Sequence, residues 1–100
     1  MRLFKITKRV LDDESAALAQ QVKNGNEEAW KKLKEVNNNY ITAIAEHYKN
    51  EDSNLSDLID SGNEGLKMAA KMFDNTRGFS FISYATWWIR TSILQTITEW

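Results

Sequence analysis

Aromatic side chains near the end of the chain are the residues whose type and spacing best suit a binding role. Residues 79–100 hold six of the eleven aromatic residues but only two charged ones, Arg90 and Glu99, and Arg77 lies just before them. Unpaired bases stack on aromatic rings beside cations, at about 1–3 kcal/mol per base. Exposed aromatic side chains also bind other proteins. The residues alone therefore leave a nucleic-acid partner and a protein partner open.

Catalytic and metal chemistry is poorly represented in the sequence. His47 is the only histidine and there is no cysteine, so nucleophilic dyads and zinc sites lack their usual residues. Asp57 and Asp60 have a spacing that suits a hard cation, although docking or plain solvation is the preferred interpretation. Residues 62–65 contain two glycines within a helical pattern, not in a phosphate-binding loop. We expect no enzymatic activity, no metal, no cofactor and no small-molecule substrate.

Helical spacing of apolar residues and the absence of proline predict an all-α fold, a compact bundle of about four to five helices. We expect a single domain over residues 1–100 that opens with a basic, extended arm over residues 1–12. Upstream helices are predicted over residues 13–50. The first should run from about Asp13 or Ser15 to Asn24, with Gly25 as its stop. The second should follow Asn26 as its N-cap.

The second half of the chain should supply two more helices. One is predicted over residues 55–74, beginning near Ser56, where Gly62 and Gly65 either permit close packing or break the helix. The other is predicted over residues 79–100, from about Ser80 or Phe81 to the chain end. Its aliphatic residues fall in one sector that would face the core: Ile82, Ala85, Ile89, Ile93 and Ile97. The aromatic residues fall outside that sector, so they either pack on a second element or are displayed.

Net charge bounds the choice of partner. The formal charge is −1, which argues against ordinary duplex-DNA binding, because phosphate neutralisation dominates such affinity. Acidic residues are concentrated between 51 and 74, whereas the aromatic segment is nearly uncharged. No apolar run approaches the roughly 20 residues that span a bilayer, and no signal peptide is evident. We expect a cytoplasmic protein without a membrane partner.

Two motifs in the second half of the chain are specific enough to suggest a family. The first is the run Ser83-Tyr84-Ala85-Thr86-Trp87-Trp88-Ile89-Arg90, preceded by Arg77-Gly78-Phe79 and Phe81. The second is the helix start Asp57-Leu58-Ile59-Asp60-Ser61-Gly62-Asn63-Glu64-Gly65-Leu66. Residues 57–90 resemble region 2 of bacterial sigma factors of the sigma-70 family. A looser similarity extends upstream, so the resemblance covers nearly the whole chain.

The resemblance implies two binding surfaces on one helical domain. One surface would dock on a coiled coil of the largest subunit of core RNA polymerase; by position it comprises Asp57, Asp60, Asn63 and Lys67. The other would recognise and melt the promoter −10 element; by position and adjacency it comprises Arg77, Phe79, Phe81, Ser83, Tyr84, Trp87, Trp88, Arg90 and Thr91. Tyr84 would stack on a flipped-out base of the non-template strand, and Trp87 and Trp88 would brace the upstream edge of the duplex.

Several positions depart from the family pattern. Met72 and Ser80 stand where lysine is usual, which should weaken attraction to phosphate. Thr91 stands where glutamine is usual, and threonine cannot make the bidentate contact of glutamine with adenine. Lys67 stands where methionine or a similar residue is usual. The chain also ends before the rest of the family's promoter-reading helix, so the last helix is expected to be truncated.

These departures keep a second interpretation open. The chain would then be a sigma-like interaction or regulatory module that docks on polymerase or an anti-sigma factor without melting DNA. The lost basic positions favour it, and the presence of Tyr84, Trp87 and Trp88 opposes it.

Overall fold

Four helices make up the described part of the fold. A computed structural model describes residues 2–74, 76, 78 and 80–98, with side chains described from Asp12 onward within these ranges. The helices are α1 (Arg2–Lys23), α2 (Glu27–Tyr48), α3 (Leu55–Met72) and α4 (Phe81–Thr98). The described residues contain no strand, and the predicted all-α bundle is confirmed.

Helix α1 begins at Arg2, so the prediction of an extended arm followed by a helix from about Asp13 is wrong. The physical reason is the absence of a helix breaker: neither glycine nor proline occurs before Gly25. Gly25 has φ of 90° just beyond the end of the helix, and its N–H donates to the Val22 carbonyl at 2.9 Å. The predicted stop is confirmed, because glycine adopts this left-handed backbone without steric cost.

Helix α2 starts where its cap predicts. The Asn26 side chain accepts a 3.0 Å hydrogen bond from the N–H of Ala29. The three consecutive asparagines at 37–39, the asparagine tract, lie within α2 and do not break it. Asn37 is buried and donates to the Leu33 carbonyl and to the Ser15 hydroxyl oxygen of α1, both at 3.0 Å. The asparagine tract therefore contributes a buried polar link between α1 and α2.

Helix α3 begins at Leu55, slightly before the predicted start, because Asn54 is its N-cap. The Asn54 side-chain oxygen accepts hydrogen bonds from the N–H groups of Ser56 (2.8 Å) and Asp57 (3.4 Å). Both N–H groups lie in the first turn of α3, where a helix offers them no backbone partner, so the Asn54 side chain caps the helix. At the other end, the Lys23 ammonium donates to the Phe73 carbonyl at 3.1 Å and ties α3 to the end of α1.

Helices α3 and α4 pack at two glycines. A Cβ added to Gly65 would lie 2.6 Å from the Trp88 carbonyl oxygen and 2.9 Å from Ile89 Cα. One added to Gly62 would lie 2.7 Å from a methyl of Ile41 on α2 and 3.4 Å from a methyl of Ile93 on α4. The close-packing interpretation of both glycines is therefore confirmed.

The core lies among all four helices. Its largest fully buried apolar side chains come from α2, α3 and α4: Leu33, Ile41, Leu58, Leu66, Phe81, Ile89 and Ile93. Ala85 of the predicted α4 stripe is also buried, while Ile82 and Ile97 are half-buried at its edges. Within the described residues, no helix combines the length and apolar character needed to cross a membrane.

Candidate nucleic-acid interface and docking surface

Trp87 projects from α4 into solvent, with 61% of its surface exposed. Its ring meets that of Trp88 edge to face, with centroids 5.3 Å apart and planes at 88°. Trp88 is half-buried against the core, and its indole nitrogen is buried without a described hydrogen-bond partner. The exposed indole of Trp87 thus packs against the indole of Trp88, which contacts with the core hold in place.

Tyr84 continues this aromatic cluster one turn earlier on α4. It is half-buried, and its ring lies 6.4 Å from that of Trp88 and 5.6 Å from that of Phe73. Phe73 follows the end of α3 and is buried. We refer to Phe73, Tyr84, Trp87 and Trp88 as the aromatic cluster; it runs from the core to the surface.

Phe81 does not belong to the exposed face. It is 1% exposed and packs edge to face on Phe73, with ring centroids 5.1 Å apart. The placement of Phe81 on a DNA-contacting face therefore requires correction. Phe81 lies beside the aliphatic sector of α4, so the sequence is compatible with either an exposed or a buried side chain. Packing against Phe73 places it in the core.

The other predicted nucleic-acid residues are more scattered. Ser83 is exposed, and its N–H donates to the Ser80 hydroxyl at 3.2 Å, while Thr91 is half-buried. Arg90 is exposed and borders a hollow of about 260 Å³ with Ala43, Ile44, His47 and Tyr48. Arg77 and Phe79 lie outside the described residues.

The predicted docking residues follow one another along α3. Asp57 and Asp60 are exposed, whereas Asn63 and Lys67 are half-buried. The Lys67 ammonium lies 5.4 Å from the centre of the Trp30 ring on α2, and the Lys34 ammonium lies at the same distance from that ring. The surface is acidic where α3 begins and basic where it meets α2.

Sequence reasoning missed the part of this surface that α2 provides. Helical periodicity places Trp30 on the apolar side of that helix, and its i, i+4 spacing from Lys34 is the local signal that indicates their contact. Nothing local signals the approach of Lys67, which comes from another helix. Among the described residues, no group of three or more potential metal ligands comes together.

Two thirds of the chain matches a known protein family. The sequence model of the family described as sigma-70 region 2 matches residues 33–99. The chain belongs to the sigma-70 family. The match covers α3 and α4 entirely and all but the first turns of α2.

Three relatives from bacteria illustrate the similarity to the sigma-70 family. The chain is 41% identical over 87 residues to RNA polymerase sigma factor SigA of a Bacillus species and 44% identical over 87 residues to SigA of Clostridium acetobutylicum. It is 43% identical over 84 residues to RNA polymerase sigma factor RpoS of Coxiella burnetii. These alignments cover 84–87% of the chain but only 23–24% of each relative, so the chain spans about a quarter of their length.

Proposed function

We propose that this sigma-70 region 2 domain acts in transcription initiation in the bacterial cytoplasm. It binds core RNA polymerase through α3 and engages the non-template strand of the promoter −10 element through the aromatic cluster of α4. The observation that carries the proposal is Trp87, 61% exposed and supported edge to face by Trp88. A tryptophan in this arrangement suits stacking on an unpaired base or on the end of a duplex.

The energetics of melting favour such a platform. Removing a base from the duplex stack costs a few kcal/mol, and stacking on an aromatic ring returns about 1–3 kcal/mol per base. Trp88 and Tyr84 are already held by packing, so less side-chain freedom remains to be lost when a base binds. Phe81 contributes from the core by supporting Phe73, beneath Tyr84.

The low positive charge of α4 favours a role in which the domain binds DNA while it is bound to polymerase. Arg90 is the single charged residue of α4, so attraction to phosphate along this helix is weak. The acidic start of α3, with Asp57 and Asp60 exposed, suits a basic protein surface such as a coiled coil of the polymerase largest subunit. We expect the free domain to bind DNA weakly and the polymerase-bound domain to bind it selectively.

A DNA titration tests the melting role. The domain, alone and bound to core polymerase, is titrated with a non-template −10 oligonucleotide and with a scrambled one, and tryptophan fluorescence is followed. Trp87→Ala and Tyr84→Ala should abolish the preference for the −10 strand, whereas Leu94→Ala, an exposed change on the same helix, should preserve it. The melting role fails if the polymerase-bound domain shows no preference and Trp87→Ala and Tyr84→Ala leave binding unchanged.

Docking through α3 is tested by charge reversal. Asp57→Lys should weaken binding to core polymerase while helicity, measured by circular dichroism, is retained. Asp13→Lys, an exposed reversal on α1, is the matched control and should leave binding unchanged. Equal affinity of wild type and Asp57→Lys removes Asp57 from the docking surface.

A second function has one observation in its favour. Met68 and Met72 are 44% and 56% exposed on α3, and flexible thioethers suit adaptable protein contacts. The domain would then dock on polymerase or an anti-sigma factor without opening DNA. Polymerase binding that is intact while −10 strand preference is absent identifies this function.

A further inference from the structure

A polar hollow lies between α2 and α3, apart from the aromatic cluster. It encloses about 530 Å³ and is open to solvent, and its lining is Lys31, Lys34, Glu35, Asn38 and Asn63. Lys67 lies one turn beyond Asn63 on α3. Two ammonium groups, of Lys31 and Lys34, and one carboxylate, of Glu35, line the hollow, which leaves an excess of positive charge there.

Two ammonium groups lie over the ring of Trp30. Lys34 and Lys67 come from different helices, yet each amine lies 5.4 Å from the centre of the same half-buried indole. The ring attracts both amines through its negative face, whereas the amines repel each other. An anion close to both amines would offset that repulsion, so negative charge is favoured beside them.

We propose that this cationic hollow, lined by Lys31 and Lys34, acts together with Lys67, whose ammonium shares the Trp30 ring with Lys34, to receive acidic side chains of the protein partner that docks on α3. The inference rests on the proposed docking to core polymerase and adds the chemistry of the partner. The ligand is a carboxylate-bearing segment of a protein. Asn63 lines the hollow and can donate from its amide to the same carboxylates.

Two features favour protein carboxylates over nucleic-acid phosphates. Trp30 is half-buried and two ammonium groups lie over its ring, so a base that stacked on it would compete with them for the ring. Asp60 is exposed one turn before Asn63, and Asp57 is exposed one turn before that. These carboxylates repel a phosphate backbone, which carries negative charge along its whole length.

The surface therefore has two halves of opposite charge along α3. A partner must place basic side chains opposite Asp57 and Asp60 and acidic ones opposite Lys34 and Lys67. Complementary charges of this kind fix the register of a complex and disfavour the reversed orientation, since like charges would then meet. The cationic half thus determines which way round a partner helix lies on α3.

Charge reversal measures this contribution with core polymerase as the probe. Lys34→Glu and Lys67→Glu should each weaken binding about tenfold or more at low salt, and the loss should shrink as salt screens the charges. Lys34→Gln and Lys67→Gln remove the charge without adding a carboxylate and should show smaller losses. Lys32→Glu is the matched control, because Lys32 is exposed on α2 and does not line the hollow. Its affinity should stay within about twofold of wild type.

A probe without polymerase tests the ligand chemistry directly. Hexaglutamate is added to the labelled domain, and the indole N–H resonance of Trp30, assigned with Trp30→Phe, is followed by NMR. The resonance should shift with hexaglutamate and remain still in the Lys34→Glu/Lys67→Glu double variant. A larger shift with a scrambled single-stranded oligonucleotide than with hexaglutamate overturns the assignment to an acidic protein segment.

The outcomes separate this inference from the proposed function. If Asp57→Lys weakens polymerase binding but correctly folded Lys34 and Lys67 variants bind as wild type does, the cationic hollow is not part of docking and the inference is wrong. If the wild-type domain does not bind polymerase but hexaglutamate shifts Trp30, the proposed docking partner is wrong while the acidic-ligand site stands.

Discussion

Asp12, in α1, accepts a hydrogen bond of 2.8 Å from the backbone N–H of Ile82 in the first turn of α4. The same carboxylate oxygen accepts a 2.8 Å hydrogen bond from the Ser80 hydroxyl. Ile82 carries one of the N–H groups that a helix leaves without a partner at its start, and a negative charge is favourable there. A residue 70 positions upstream therefore caps the helix that carries the aromatic cluster.

Loss of this cap should destabilise the fold. We expect Asp12→Ala to lower the free energy of unfolding by about 1–2 kcal/mol, since two hydrogen bonds to the carboxylate are removed. Asp12→Asn retains an acceptor oxygen and should cost less. Urea denaturation followed by circular dichroism measures both. Asp13→Ala, the exposed neighbour, is the control, and an equal loss there would assign the effect to α1 alone.

Alanine at Gly65 should be poorly tolerated. Its Cβ would meet the Trp88 carbonyl oxygen at 2.6 Å, and backbone cannot move aside as a side chain can. We expect Gly65→Ala to cost about 2–3 kcal/mol despite the better helix propensity of alanine. Gly62→Ala should cost less, because its shortest contact is with a side-chain methyl of Ile41. Denaturant titration that ranks Gly62→Ala as the more damaging change contradicts this account of the crossing.

Two aromatic residues of α4 should respond oppositely to truncation. Phe81→Ala empties a core position and should cost about 3–5 kcal/mol of stability. Trp87→Ala removes an exposed side chain and should change stability by no more than about 0.5 kcal/mol. Thermal unfolding of the two variants tests the division. A large stability loss for Trp87→Ala would place that indole in the fold instead of on the binding face.

The buried pair of Asn37 and Ser15 should act as one unit. Asn37→Ala leaves the Ser15 hydroxyl without its partner and should cost about 2 kcal/mol. Ser15→Ala in that background should cost little more. A double-mutant cycle in urea should give a coupling energy of about 1 kcal/mol. Strictly additive losses would mean that the hydrogen bond contributes nothing to the link between α1 and α2.

Features with local causes were predictable from the sequence. The Asn26 cap and the Gly25 stop depend on residues within one turn of each other, and both occur as predicted. The α4 stripe was also predictable, because helical periodicity alone selects Ala85, Ile89 and Ile93.

Features that depend on a second element were not predictable. Asp12 caps α4 across the chain, and Phe81 is buried because Phe73 lies beside it. Likewise, Lys67 reaches Trp30 from a different helix. In each case the contact depends on how two elements pack against each other. The periodicity of one helix carries no information about that packing.

The close approach of α3 and α4 at Gly65 affects which substitutions α4 can accept. At Gly65 the backbone of α3 lies directly against that of α4, so main-chain atoms set the spacing of the two helix axes. Replacing an outward side chain of α4 leaves that spacing unaltered. In the proposed promoter-binding role, half-buried Thr91 therefore occupies a position where a substitution would change base preference without repositioning Trp87.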